Sequence, residues 1–227
     1  MTSLVRTTLW LMFGHALAGA AYLALIYTPE SNVLMLAVSV ALVLLGVAAL
    51  VWTSTSAALA LHTGGAPWRG GRRVSSMLPG VVLAGALGDA WVARAGEVDA
   101  AAIAAGDVTR TAWLHTTVRW AVALVQWAVV PVWLAASLAW AAAYGSRHVV
   151  SMKWLLVGLT PRVLLVALGA VALLVWLPWR ALYWRPASLS STTLEMAFSG
   201  IKLLGLYAAA NLAWALVLDA AARAVRR

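Results

Sequence analysis

Apolar positions in this chain come in long unbroken runs, without the alternation of half-buried strands or the narrow stripes of soluble helices. Six runs stand out, at about 8–27, 33–61, 75–92, 113–141, 162–179 and 196–218, and most of the arginines fall between them. Since ~20 helical residues cross a hydrocarbon core, the pattern predicts an all-α, polytopic transmembrane helical bundle, a single integral membrane domain over residues 1–227. The second run exceeds that length and should tilt or protrude. The third is the weak one, because Pro79, Gly80, Gly85 and Gly88 interrupt it and Asp89 lies near its end; it either spans or is re-entrant. The first run begins like a signal peptide, with small residues at Ala18-Gly19-Ala20. It continues apolar to Tyr27, however, so an uncleaved first span is expected.

Two further helices are expected on the membrane surface. Residues 94–110 are mixed and Ala-rich. Residues 148–160 arrange His148 and Lys153 around an apolar set, beside Arg147, as an interfacial amphipathic helix does before the fifth span. Pro161 then opens that span at a first-turn position, where its missing N–H costs nothing.

Composition supports the membrane reading. The 227 residues are 64% hydrophobic and 10% charged, too little charge to coat a soluble domain. Cysteine is absent, which excludes disulfides, thiolate metal sites and a Cys nucleophile. Lys and Arg total 16 against 7 acids, and their placement decides the doubtful third span. With six spans and both termini cytoplasmic, ten basic residues fall on the inner side (Arg6, the 69–73 loop, the 147–162 segment, the tail) and four outside. With five spans the 147–162 segment and the tail would both lie outside. Tryptophans agree, Trp10, Trp52, Trp140, Trp154 and Trp214 falling near the inner interface and Trp91, Trp113, Trp176, Trp179 and Trp184 near the outer. Arg in great excess over Lys, with abundant Ala, Gly and Val, suits a GC-rich bacterial genome, and the expected location is the cell's inner (plasma) membrane.

Charges inside spans are the candidate chemistry, because they are costly there and face partners or cavities. His115, Arg119 and Gln126 share one face of the fourth helix, and Glu195, Ser199 and Lys202 one face of the sixth. Arg119 and Lys202 would each lie ~10 Å inside the outer interface at 1.5 Å per residue, level with Asp89. A polar cluster of Asp89, His115, Arg119, Gln126, Glu195, Ser199 and Lys202 would hold an anionic headgroup or small anion. The simpler alternative has Arg119 and Lys202 snorkelling to phosphates or pairing to fix helix register.

Ser199-Gly200-Ile201-Lys202 matches S-x-x-K, which sets a hydroxyl and an amine one turn apart, as a Ser–Lys hydrolase requires. Ala197-Phe198-Ser199-Gly200 also loosely resembles the G-x-S-G of rhomboid proteases, whose core has six helices. Ala197 replaces the first glycine, though, and the motif sits on the last run, with no later helix for the family's catalytic His. The four histidines are scattered, so neither a metal nor a haem site is expected, and His15 should be hydrogen-bonded within the bundle. Trp113, Trp120 and Trp127 form a stripe expected to face lipid or a neighbouring subunit. The Pro67–Arg73 loop lacks a nucleotide-binding motif, and the basic segments suit anionic lipid headgroups, not nucleic acid. The expectation is a non-enzymatic membrane protein, a subunit or scaffold of a larger membrane assembly with other membrane subunits as partners. The alternative is a small permease or lipid- and anion-handling protein, and the distant one the Ser–Lys hydrolase.

Overall fold

The structure, a computed structural model, describes residues 3–29, 32–69, 117, 129–145, 148, 151–184 and 192–226. The expected third span (75–92), the surface helix at 94–110 and nearly all of the fourth span before residue 129 lie outside the described residues. So does the Trp113/Trp120/Trp127 stripe. Among the described residues every regular element is helical. In chain order they are α1 (Ser3–Ile26), α2 (Val33–Thr63), α3 (Val130–Tyr144), α4 (Trp154–Gly158), α5 (Pro161–Leu182) and α6 (Thr192–Val225). Four of them, α1, α2, α5 and α6, are long and apolar enough to cross a membrane.

Local chemistry sets the helix ends. Asn32 caps α2, its side-chain oxygen accepting from the Met35 N–H at 3.0 Å. Gly64 ends the same helix in the left-handed conformation that only glycine adopts without strain (φ 73°). Pro178 sits inside α5, where its ring presses on the carbonyl four residues back. The wide turns of Val171–Trp176, in which the Leu177 N–H reaches Ala172 O, loosen the helix ahead of it, so α5 continues to Leu182.

The expected surface helix at 148–160 is much shorter. Ser151 and Thr160 turn their hydroxyls onto the His148 and Val157 carbonyls, at 2.7 and 2.8 Å, and Met152 adopts φ 54°. Among the described residues of this stretch only Trp154–Gly158 is α-helical, with Val157 and Gly158 buried. A Cβ at Gly158 would come within 3.1–3.6 Å of Trp133, Val132 and Ala136, so α4 is held against the start of α3.

α1 and α2 pack as an antiparallel hairpin along a seam of small residues. Gly14 faces Thr53, and a Cβ at Gly46 would lie 3.7–3.8 Å from Ala18 and Ala21. Trp10 Nε1 donates to Ser56 Oγ at 2.7 Å, and its ring meets Trp52 edge-on at 5.0 Å. α6 touches every other helix of the set. It manages this with an alanine-rich face, Ala213, Ala215, Ala220, Ala221 and Ala222 all being buried, which lets backbones approach closely.

Burial is concentrated at one end. The core joins Leu11 of α1, Ala57, Ala58 and Leu61 of α2, α3, Val163 and Ala167 of α5, and the second half of α6. The far halves of the long helices carry exposed apolar side chains, Leu34, Leu173 and Ile201 among them. Arg226 bonds to Leu61 and His62, and Trp10 to Ser56, so the start of α1 and the ends of α2 and α6 lie together at the packed end.

Candidate functional site

Three polar arrangements stand out, and α6 contributes to each. The first is Lys202. α5 ends at Leu182, and the last carbonyls of a helix have no partner within it. Lys202 reaches across from α6 and donates from Nζ to Leu182 O at 2.7 Å and to Trp184 O at 2.8 Å. The ammonium lies 4.7 Å from the centre of the Phe198 ring, and Trp184 meets that ring edge-on at 5.9 Å. A cation on the negative end of a helix is favourable, and the aromatic face adds to it. Two of the three donors of Lys202 are therefore committed to the α5–α6 hairpin.

Glu195 is half-buried in the first turn of α6, where a carboxylate suits the helix dipole, and Ser199 is exposed. Asp89, His115, Arg119 and Gln126, the other expected members of the polar cluster, lie outside the described residues. The structure thus gives Lys202 backbone acceptors that the sequence did not indicate.

The second arrangement is at the opposite end of α6. Arg226 Nη1 donates to Leu61 O and His62 O, both at 3.1 Å, closing the end of α2 as Lys202 closes that of α5. Arg223 pairs with Asp219 one turn earlier, at 2.5 Å.

The third is a half-open pocket of about 290 Å³ between α1, α2, α3 and α6, whose wall includes His15, Ser54 and Trp214. His15 bonds through Nδ1 to Leu11 O, one turn back in its own helix, at 2.9 Å. Trp214 Nε1 donates to Ser54 Oγ at 3.3 Å. On the same face of α6, Tyr207 Oη donates to Met12 O and Asn211 Nδ2 to Tyr207 O, while Asn211 Oδ1 is buried without a partner among the described residues. Ser54, Tyr207 and Trp214 were not among the sequence candidates. The signal for Ser54 was the hydroxyl run Thr53–Ser56 inside an otherwise apolar helix.

Among the described residues no three His, Cys, Asp or Glu side chains come together as a metal site would need. Comparison of the chain with protein-family models, curated proteins and solved structures finds no match.

Proposed function

We propose that this chain is a non-enzymatic integral membrane protein, a six-span bundle with both termini cytoplasmic in a bacterial inner membrane, acting as a subunit or scaffold of a larger membrane assembly. The observation that carries the reading is how α6 uses its cations. Lys202 and Arg226 hold the ends of two other helices through backbone carbonyls. The amine of the S-x-x-K motif is thereby engaged in helix packing, away from the role of a base serving Ser199. The apolar outer halves of α1, α2, α5 and α6 support the same reading, since they offer long faces for lipid or for other helices.

The test is gentle solubilisation of the protein at native abundance, followed by mass determination and identification of what travels with it. A stoichiometric membrane-protein partner is the expected result. A monodisperse particle carrying the chain and lipid alone would overturn the subunit reading.

A second reading, a small permease or lipid-handling protein, has the 290 Å³ cavity in its favour. On that reading Arg119, Asp89 and the remaining donor of Lys202 would serve an anionic group. Transport or lipid exchange by the chain alone in vesicles would select it.

A further inference from the structure

The pocket among α1, α2, α3 and α6 holds about 290 Å³ and is half open at its mouth, with room for more hydrocarbon than the benzene ring taken up by a closed apolar cavity of ~150 Å³. His15, on its wall, stands about 18 Å along α1 from Ser3 at 1.5 Å per residue, near the middle of that helix. Aliphatic side chains such as Leu50, Leu134 and Leu138 make up most of its wall, and its polar groups are His15, Ser54 and Trp214.

Those polar groups carry unused hydrogen-bonding capacity. Thr53, Thr55 and Ser56 each return their hydroxyl proton to a carbonyl of α2, all at 2.7 Å. Ser54 does not; it accepts from Trp214 and, among the described residues, donates to nothing. His15 shows the complementary vacancy. A carbonyl oxygen only accepts, so Nδ1 carries the proton in the bond to Leu11 O, and in the neutral ring Nε2 is then an acceptor. An apolar cavity thus holds one free donor and one free acceptor. A hydroxyl group satisfies both, accepting from Ser54 and donating to His15; a carbonyl serves only Ser54, and a bare hydrocarbon serves neither.

We infer that this cavity binds an apolar molecule ending in a hydroxyl group, in the class of long-chain alcohols and prenols. The hydrocarbon packs on the aliphatic wall and the hydroxyl lies between Ser54 and His15. The site stands whether or not the chain is a subunit of an assembly.

Trp214 reports on the site. Its fluorescence is isolated as the difference between the wild-type protein and Trp214→Phe, both full length in detergent micelles. A long-chain alcohol brominated on its tail is titrated against the equally brominated alkane. The alcohol should quench Trp214 saturably, at about tenfold lower concentration than the alkane, the size of one or two net hydrogen bonds. Ser54→Ala should remove most of that preference, and Leu134→Trp, which fills the cavity, should abolish saturable quenching. Equal quenching by alcohol and alkane, as a water-filled polar pair would give, overturns the proposal. A full preference in Ser54→Ala, or unchanged binding in Leu134→Trp, overturns it as well. Ser54→Ala removes a single oxygen and keeps the test decisive should the filled variant fail to fold.

Discussion

Gly14→Val is expected to destabilise the bundle by about 3 kcal/mol, the upper part of the usual range for overpacking a tight core, read as a lowered unfolding temperature in detergent. A Cβ built on Gly14 runs into the side chain of Thr53. Thr53 has little freedom to yield. It is fully buried, and its hydroxyl is bonded to Ala49 O at 2.7 Å and shared with Leu50 O at 3.3 Å. A branched side chain at position 14 must therefore push α1 off α2, which also lengthens the Trp10–Ser56 bond one turn away. Two controls separate this from a general intolerance of side chains on glycine positions. Gly46→Ala meets only ordinary contacts at 3.7–3.8 Å, and a Cβ at Gly19 meets nothing within 4 Å. Both variants should stay within about 0.5 kcal/mol of the parent. A Gly14→Val protein as stable as these controls would mean that the hairpin seam is not closely packed.

Lys202→Met should cost about 2 kcal/mol, because two carbonyl oxygens at the end of α5 lose a charged donor and have no water to replace it if they lie in the bilayer. The methionine keeps the length and most of the packing of the lysine, so the loss isolates the hydrogen bonds. Lys202→Arg should recover much of the stability, since a guanidinium also carries several donors to the same carbonyls. Ser199→Ala, on an exposed position, should leave stability unchanged. If Lys202 served an anionic ligand and not the hairpin, Lys202→Met would unfold like the parent when no ligand is present. That outcome would remove the structural role assigned to it here.

That the chain forms helices long and apolar enough to cross a membrane was legible from the lengths of its apolar runs alone. α1, α2, α5 and α6 cover the runs expected at 8–27, 33–61, 162–179 and 196–218. Their ends were less legible. Hydropathy marks where a helix leaves the hydrocarbon, whereas hydrogen bonding carries it further, so α6 runs from Thr192 to Val225 and α1 begins at Ser3. α5 passes through Pro178 because the wide turns before it absorb the ring, and no hydropathy profile registers such turns.

The candidate site divides in the same way. A lysine in an apolar run calls for partners to its charge, and the sequence pointed to Asp89 and Glu195 or to headgroups. The partners are backbone carbonyls at a loop, which carry no side-chain signature in a sequence. The 290 Å³ cavity was illegible for another reason. His15, Ser54 and Trp214 come from three helices, and only their packing register brings them together. The bond of Asn211 to Tyr207 O, and that of Tyr207 to Met12 O, likewise needed the fold.

The central claim is a six-span bundle with both termini cytoplasmic, and the absence of cysteine from the chain makes it directly measurable. Single cysteines are placed at Ser3, Gly71, Glu30, Pro186 and Arg227, and intact cells are treated with a membrane-impermeant maleimide. The account predicts labelling at positions 30 and 186 in intact cells, and at 3, 71 and 227 only after the membrane is opened. Labelling of positions 3 and 227 from opposite sides would contradict it.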